Sequence, residues 1–182
     1  MKQPNIVFIF SDHHRWDYLG HRNAQVHTPN LDRMVARGTS LERMYSTTPL
    51  CVPQRIALTT GQYPGSTGCY TNRHRIPPGS PSFVRSVQNA GYETALVGKL
   101  HHHVHAMEAD FTAHRKEVHQ LGYDRVWESS GKQGSGLIRC RCDYAEFLDE
   151  AGILEDYYNW TGEWGKDNGS MRSNEPWPWD PE

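Results

Sequence analysis

The sequence predicts an α/β fold, and three observations carry that prediction. Residues 5–10 form an almost continuous run of apolar, β-branched and aromatic side chains. Two later segments, 28–38 and 80–91, combine helix-start signals, apolar residues at helical spacing and a terminal glycine. Residues 94–97 then read as a second strand, ending at Gly98-Lys99. Strand, helix, helix and strand in that order argue for a sheet covered by helices.

The first run, Ile6-Val7-Phe8-Ile9-Phe10, suits a central parallel strand buried on both faces. Asp12 follows at its carboxyl end, the edge where open α/β sheets bind ligands. Residues 28–38 predict a helix of about two turns, with Leu31, Met34 and Val35 facing the sheet and Gly38 as its stop. A further helix is predicted to begin around Cys51, because Pro53 fits a first turn, where a missing N–H costs nothing. Residues 61–79 are loop-like, with Gly61, Pro64, Gly65, Gly68, Pro77, Pro78 and Gly79 as breakers. In the helix predicted over 80–91, Ser80 is the cap, Phe83, Val84 and Val87 face inward and Gly91 terminates. Residues 114–121 and 143–152 predict two more helices, the latter with Tyr144, Phe147, Leu148 and Ala151 on one face. Beyond Ile153 no clear period is read, and no repeat or linker marks a second domain, so residues 1–182 are taken as one.

Composition narrows the function. The chain has 182 residues with a formal net charge of -2, which offers no electrostatic argument for nucleic acid or an anionic membrane as partner. Met1-Lys2-Gln3-Pro4-Asn5 leads straight into the first strand with no leader-like run, which leans toward a soluble, cytoplasmic protein. The four cysteines, Cys51, Cys69, Cys140 and Cys142, are too few and irregular for a disulfide scaffold, and Cys140-Arg141-Cys142 is not a zinc spacing.

The chemistry concentrates at Cys51-Val52-Pro53-Gln54-Arg55, a C-x-P-x-R run placed where a loop turns into a helix. The helix dipole and its orphan N–H groups favour anions there, and Arg55 adds a planar fork suited to a tetrahedral oxyanion. Such surroundings favour a reactive thiolate. A buried structural cysteine is the bland alternative for any single thiol, but Pro53, Arg55 and the Thr59-Thr60-Gly61 ending favour the functional reading. Lys99 and His101, two residues apart, would face the same side of an extended chain leaving the strand. An ammonium and an imidazole so placed could bind an anionic ester and handle a leaving-group proton.

The run from Pro49 through Gly61 resembles the first signature of the sulfatase family, and the run from Gly91 to His101 resembles the second. The resemblance covers roughly the first hundred residues in ordered motifs and continues more loosely to the end. It implies an alkaline-phosphatase-like sheet sandwiched by helices, incomplete on its carboxyl-terminal side. It also implies a sulfuric ester hydrolase in which Cys51 is oxidised by a formylglycine-generating enzyme. One hydroxyl of the hydrated aldehyde then attacks sulfur, the alcohol leaves, and the second hydroxyl helps expel sulfate. By the same resemblance Arg55 holds the hydrated aldehyde, Lys99 the sulfate, and His101 a hydroxyl or the sulfate. The metal set would comprise Asp12, His13 and the modified Cys51, around a divalent ion, calcium first, with magnesium or manganese as alternatives. Family members commonly have a second acidic or amide ligand where this chain has His13, whose nitrogen suits manganese or zinc better than calcium.

Further ligands in the family come from a later half without identifiable counterparts here. The chain therefore reads as an amino-terminal portion, expected to be inactive alone. The expected substrate is a small-molecule or carbohydrate sulfate ester. Two competing readings are a phosphonate or phosphate ester hydrolase of the same superfamily and a catalytically dead anion-binding module. Neighbouring histidines in an extended chain face opposite ways, so His102, His103 and His105 are read as loop residues rather than a metal site. Trp160, Trp164, Trp177 and Trp179 are read as cover for a core or an interface rather than a substrate cleft.

Overall fold

A computed structural model describes residues 3–102, 110–131 and 139–166, with side chains as far as residue 161. The chain divides into two compact units, Met1–Tyr45 and Ser46–Glu182.

In the first unit the apolar run 5–10 is not laddered, and Val7 and Ile9 are 81% and 75% exposed. The predicted central strand is thereby corrected. A ladder needs a neighbour with N–H and C=O groups to share, and the described residues of this unit contain no other strand. The period-2 character survives locally, since the rings of Phe8 and Phe10 stack with centroids 6.1 Å apart. Helix α1, Pro29–Arg37, forms as predicted, with proline in its first turn, Asp32 near its start and Arg37 in its last turn. None of its residues is buried, against the expectation for its apolar stripe. Polar contacts tie the preceding loop to it. The Gly20 N–H donates to Thr28 Oγ1 at 2.7 Å, and both the Thr28 hydroxyl and the His21 N–H donate to Asp32 Oδ1 at 3.1 Å. A Cβ at Gly20 would meet the Asp32 carboxylate, so a side chain there would displace Asp32 from these contacts.

The second unit holds α2 (Cys51–Thr60), α3 (Pro64–Thr67), α4 (Phe83–Asn89), β1 (Ala95–Gly98), a 3₁₀ turn (Thr112–His114), α5 (Arg115–Gln120), β2 (Arg125–Glu128), α6 (Asp143–Glu150) and α7 (Leu154–Lys166). Strands β1 and β2 are parallel, pairing Ala95 with Arg125 through Gly98 with Glu128. The architecture is therefore α/β with a small parallel sheet.

Four elements were not anticipated: the single-turn helix α3, which corrects the loop reading of 61–79, the 3₁₀ turn Thr112–His114, β2 and α7. β2 carries only Val126 and Trp127 as apolar residues, too short a pattern to read. In α7, Leu154, Tyr157, Tyr158 and Thr161 do recur at helical spacing, a signal obscured by the polar residues between them. In α4 the cap is Ser82 rather than Ser80, its Oγ accepting from the Arg85 N–H, and Phe83 is exposed while Val84 is buried. In α6 the buried residues are Ala145 and Leu148, whereas Phe147, half-exposed, meets Trp127 of β2 edge-on at 6.4 Å.

Three packing groups position the sheet edge. Val52 and Ile56 of α2 pack with Cys69 and Ile76. Leu100, Val118 and Leu121 pack with Ile76, Leu96, Tyr123 and Val126, joining both strands to α5. Phe111, Cys140, Cys142 and Ala145 form the third, and both of these cysteines are fully buried. At the amino end of the sheet Asp124 accepts from the Thr94 N–H at 2.8 Å and from Gln88 Nε2 at 2.6 Å. The Thr94 backbone donor and then Gln88 hold its carboxyl below the ordinary carboxylate range. Gly122, at φ +104°, lies so close to α4 that a Cβ there would stand 2.5 Å from the Arg85 backbone nitrogen and Cα.

Candidate active site

Cys51 is the first residue of α2, half-buried, after an extended Leu50. The prediction that it lies at the helix start holds, and Gly61 closes the helix in the left-handed conformation. The helix start is less open to an anion than spacing alone suggested. The Val52 N–H donates to Asn72 Oδ1 at 3.0 Å, Pro53 has no N–H, and the Gln54 N–H returns to the Leu50 carbonyl at 3.1 Å. Asn72, from the loop after α3, thus acts as a remote cap. Gln54 Oε1 accepts from Thr47 N–H, Thr47 Oγ1 and Ser46 Oγ at 2.9, 2.7 and 2.8 Å, fastening the segment that leads into Cys51. Neither amide side chain was singled out by the sequence, because a cap twenty residues away has no local signature.

Arg55 is buried, and its Nη1 donates to the Lys99 carbonyl at 2.5 Å. This bond joins the two signature runs. A second link lies one turn on, where His102 Nε2 is 3.0 Å from Thr59 Oγ1 and 3.3 Å from the Arg55 carbonyl. His102 is a loop residue, as predicted, but a buried one that fastens the loop after β1 to α2. His103 and His105 lie outside the described residues, as do Trp177 and Trp179 and the side chain of Trp164. Trp160 is partly buried against the group of Leu148, Tyr157 and Tyr158.

Lys99 and His101 stand just beyond the carboxyl end of β1, but not on an extended chain. Gly98 has φ +104° and His101 φ +58°, so alternation breaks on either side of Lys99 and the argument for a shared side no longer applies. Lys99 is half-buried and its methylene stem passes Gly131, while His101 is buried. The His101 N–H donates to Glu128 Oε1 at 3.4 Å. Glu128, unmarked by any motif, is 3% exposed, and burial pushes its carboxyl up to about 7 against the pull of the His101 backbone donor.

Asp12 and His13 belong to the first unit. Both are exposed, and His13 has φ +55°. An exposed carboxylate oxygen fits a hard divalent ion, and an adjacent imidazole fits a borderline one. His14, outside the expected ligands, lies 2.7 Å from the Tyr18 carbonyl through Nε2.

The second unit thus presents a helix-start cysteine fastened, through a buried arginine, to a lysine and histidine at the carboxyl edge of a parallel sheet. That is an α/β protein with its candidate residues gathered at the carboxyl edge of a parallel sheet. The family model described as Sulfatase matches residues 4–163, and the chain belongs to the sulfatase family. It is 36% identical over 142 residues to N-acetylgalactosamine-6-sulfatase of Canis lupus familiaris, covering 69% of this chain and 25% of that protein. It is 32% identical over 143 residues to the Ulvan-active sulfatase of Formosa agariphila, covering 78% and 25%. Arylsulfatase J of Mus musculus is 27% identical over 175 residues, covering 92% and 27%. The chain spans about a quarter of the length of the curated relatives it matches. Among the described residues no helix is long and apolar enough to cross a membrane.

Proposed function

We propose that this chain carries the nucleophile-bearing part of a sulfuric ester hydrolase, with Cys51 converted to formylglycine, acting on a small-molecule or carbohydrate sulfate ester. The observation that supports it best is the Arg55 to Lys99 bond, which draws the helix-start cysteine and the lysine-histidine loop into one unit. The fold in this reading is the alkaline-phosphatase-like sheet between helices, of which β1 and β2 form a part. Once formed, the hydrated aldehyde would supply a nucleophilic oxygen, and a divalent ion, calcium or otherwise magnesium or manganese, would neutralise sulfate charge. Asp12 is the proposed hard ligand, and His13 and the modified position 51 are the other ligands that the family resemblance implies. Arg55 orients position 51, Lys99 holds a sulfate oxygen, and His101 contacts a hydroxyl or the sulfate. A formylglycine-generating enzyme is the implied partner, and turnover by the 182-residue chain alone is expected to be slight or absent.

The test is mass spectrometry of the tryptic peptide 44–55 after coexpression with a formylglycine-generating enzyme. Replacement of the thiol by an aldehyde is expected, and a thiol left intact by an active maturation enzyme would overturn the formylglycine assignment. Matched aryl sulfate and aryl phosphonate substrates, offered to the full-length protein, then decide the ester. Preference for the phosphonate would remove the sulfatase assignment while keeping the site.

A further inference from the structure

The carboxyl ends of β1 and β2 lie side by side, with Gly98 opposite Glu128. From there the chain runs through Lys99 and Leu100 to His101, whose left-handed backbone at φ +58° is unfavourable for a residue bearing a Cβ. Such a turn persists only where its surroundings hold it. One group in place to do so, besides the Arg55 and His102 contacts of the same loop, is Glu128, whose Oε1 accepts the His101 N–H at 3.4 Å and which also draws on the Leu100 N–H. Glu128 is itself clamped. Its own N–H donates to Asp143 Oδ2 at 2.7 Å, and Asp143 Oδ1 pairs with Arg115 at 2.5 Å. A buried carboxyl is a costly filler, and a methionine or leucine would cover the same space without desolvating a charge.

We propose that Glu128 is a positioning residue: with its backbone N–H anchored on Asp143, which Arg115 pairs, its carboxyl holds the Leu100-His101 backbone in its turned conformation and so helps set where Lys99 and His101 stand relative to α2. The functional meaning rests on reading Lys99 and His101 as anion-site residues, whereas the hold itself does not. The hold depends on a proton, because a carboxylate accepts an N–H more strongly than a carboxylic acid does. Burial raises the carboxyl to about 7, helped by the negative Asp143, while the His101 and Leu100 N–H groups and Arg115 pull the other way. Tyr123 also faces it, its phenol pushed up to about 12 by burial and by Glu128. These groups come from α6, α5, the loop after β1 and the turn before β2.

The experiment is a pH titration of the isotope-labelled full chain by nuclear magnetic resonance. The Glu128 side-chain carbon and the His101 amide are expected to shift with one shared midpoint near 7. In Glu128→Gln that component of the His101 amide shift vanishes, while the amide stays protected because the glutamine oxygen still accepts its hydrogen. In Glu128→Ala, hydrogen exchange at the His101 amide quickens about tenfold while exchange at Ile56 is unchanged. A His101 amide indifferent to Glu128, or one titrating fully in Glu128→Gln, would overturn the proposal. Neither readout uses turnover or the state of Cys51, so failure here leaves the sulfatase reading standing, and an unconverted Cys51 leaves this one standing.

Discussion

Ile9 and Ile56 are the same side chain in two different circumstances. Ile9, in the first unit, is 75% exposed within a run of five apolar residues, whereas Ile56, on α2 of the second, is fully buried with Val52, Cys69 and Ile76. The helices show the same contrast. α1 has no buried residue, while α2 has seven, among them Arg55. The first unit is drawn together by short polar contacts such as those of Thr28 and Asp32, and the second by apolar groups reaching across elements. Apolar character alone does not bury a segment. A strand needs a ladder partner and a helix needs a face to meet, and these partners are present around β1, β2 and α2.

The harshest probe of the second unit is Gly122→Ala. Its positive φ and the 2.5 Å approach to the Arg85 backbone leave no room for a methyl group, so a loss of about 4 kcal/mol is expected in denaturant unfolding. A change near zero would mean that the α4 contact yields freely. Next comes Ile56→Ala, expected to cost about 3 kcal/mol through the cavity left among Val52, Cys69 and Ile76. Ile9→Ala is its counterpart, expected to cost under about 0.5 kcal/mol. Equal losses in the two variants would erase the contrast drawn between the units.

A pH series sharpens the same comparison. Glu128 is raised from 4.5 to about 7 in the fold, so between those values the folded chain keeps a proton that the unfolded chain has lost. Stability should therefore fall as pH rises from 4.5 to 7, by a total on the order of 2–3 kcal/mol, and Glu128→Gln should flatten that slope. A slope of opposite sign that persists in the variant would assign it to other groups. A smaller loss, about 1 kcal/mol, is expected of Asn72→Ala, which removes the acceptor of the Val52 N–H and is read as a lower denaturant midpoint; only Ile9→Ala should cost less.

Much of the second unit could be read from local signals, and the reasons are specific. Pro53 and Gly61 bracket α2, Gly91 follows α4, and the α6 segment repeats its apolar residues at helical spacing. Residues 5–10 misled because β-branched and aromatic residues state a preference for strand without supplying its partner. Lys99 and His101 were singled out by type and spacing, but their relation rested on an alternation that His101, at φ +58°, does not keep. The roles of Asn72, Gln54 and Glu128, and the buried, fastening role of His102, escaped notice because each acts on a segment remote in sequence or on a backbone group that any residue possesses.

What the chain by itself determined is therefore the local chemistry: an α/β pattern, a cysteine at a helix start, and an arginine, a lysine and a histidine in two motifs that mark the sulfatase family. Those follow from propensity, capping and residue type, which act over a few residues. Only the tertiary structure decided that Arg55 grips the Lys99 carbonyl, that Asn72 caps α2, and that a buried glutamate holds the turn at His101. Hydrogen bonds to backbone groups across distant segments exist only once packing has brought those segments together, and nothing in the order of the residues encodes them directly.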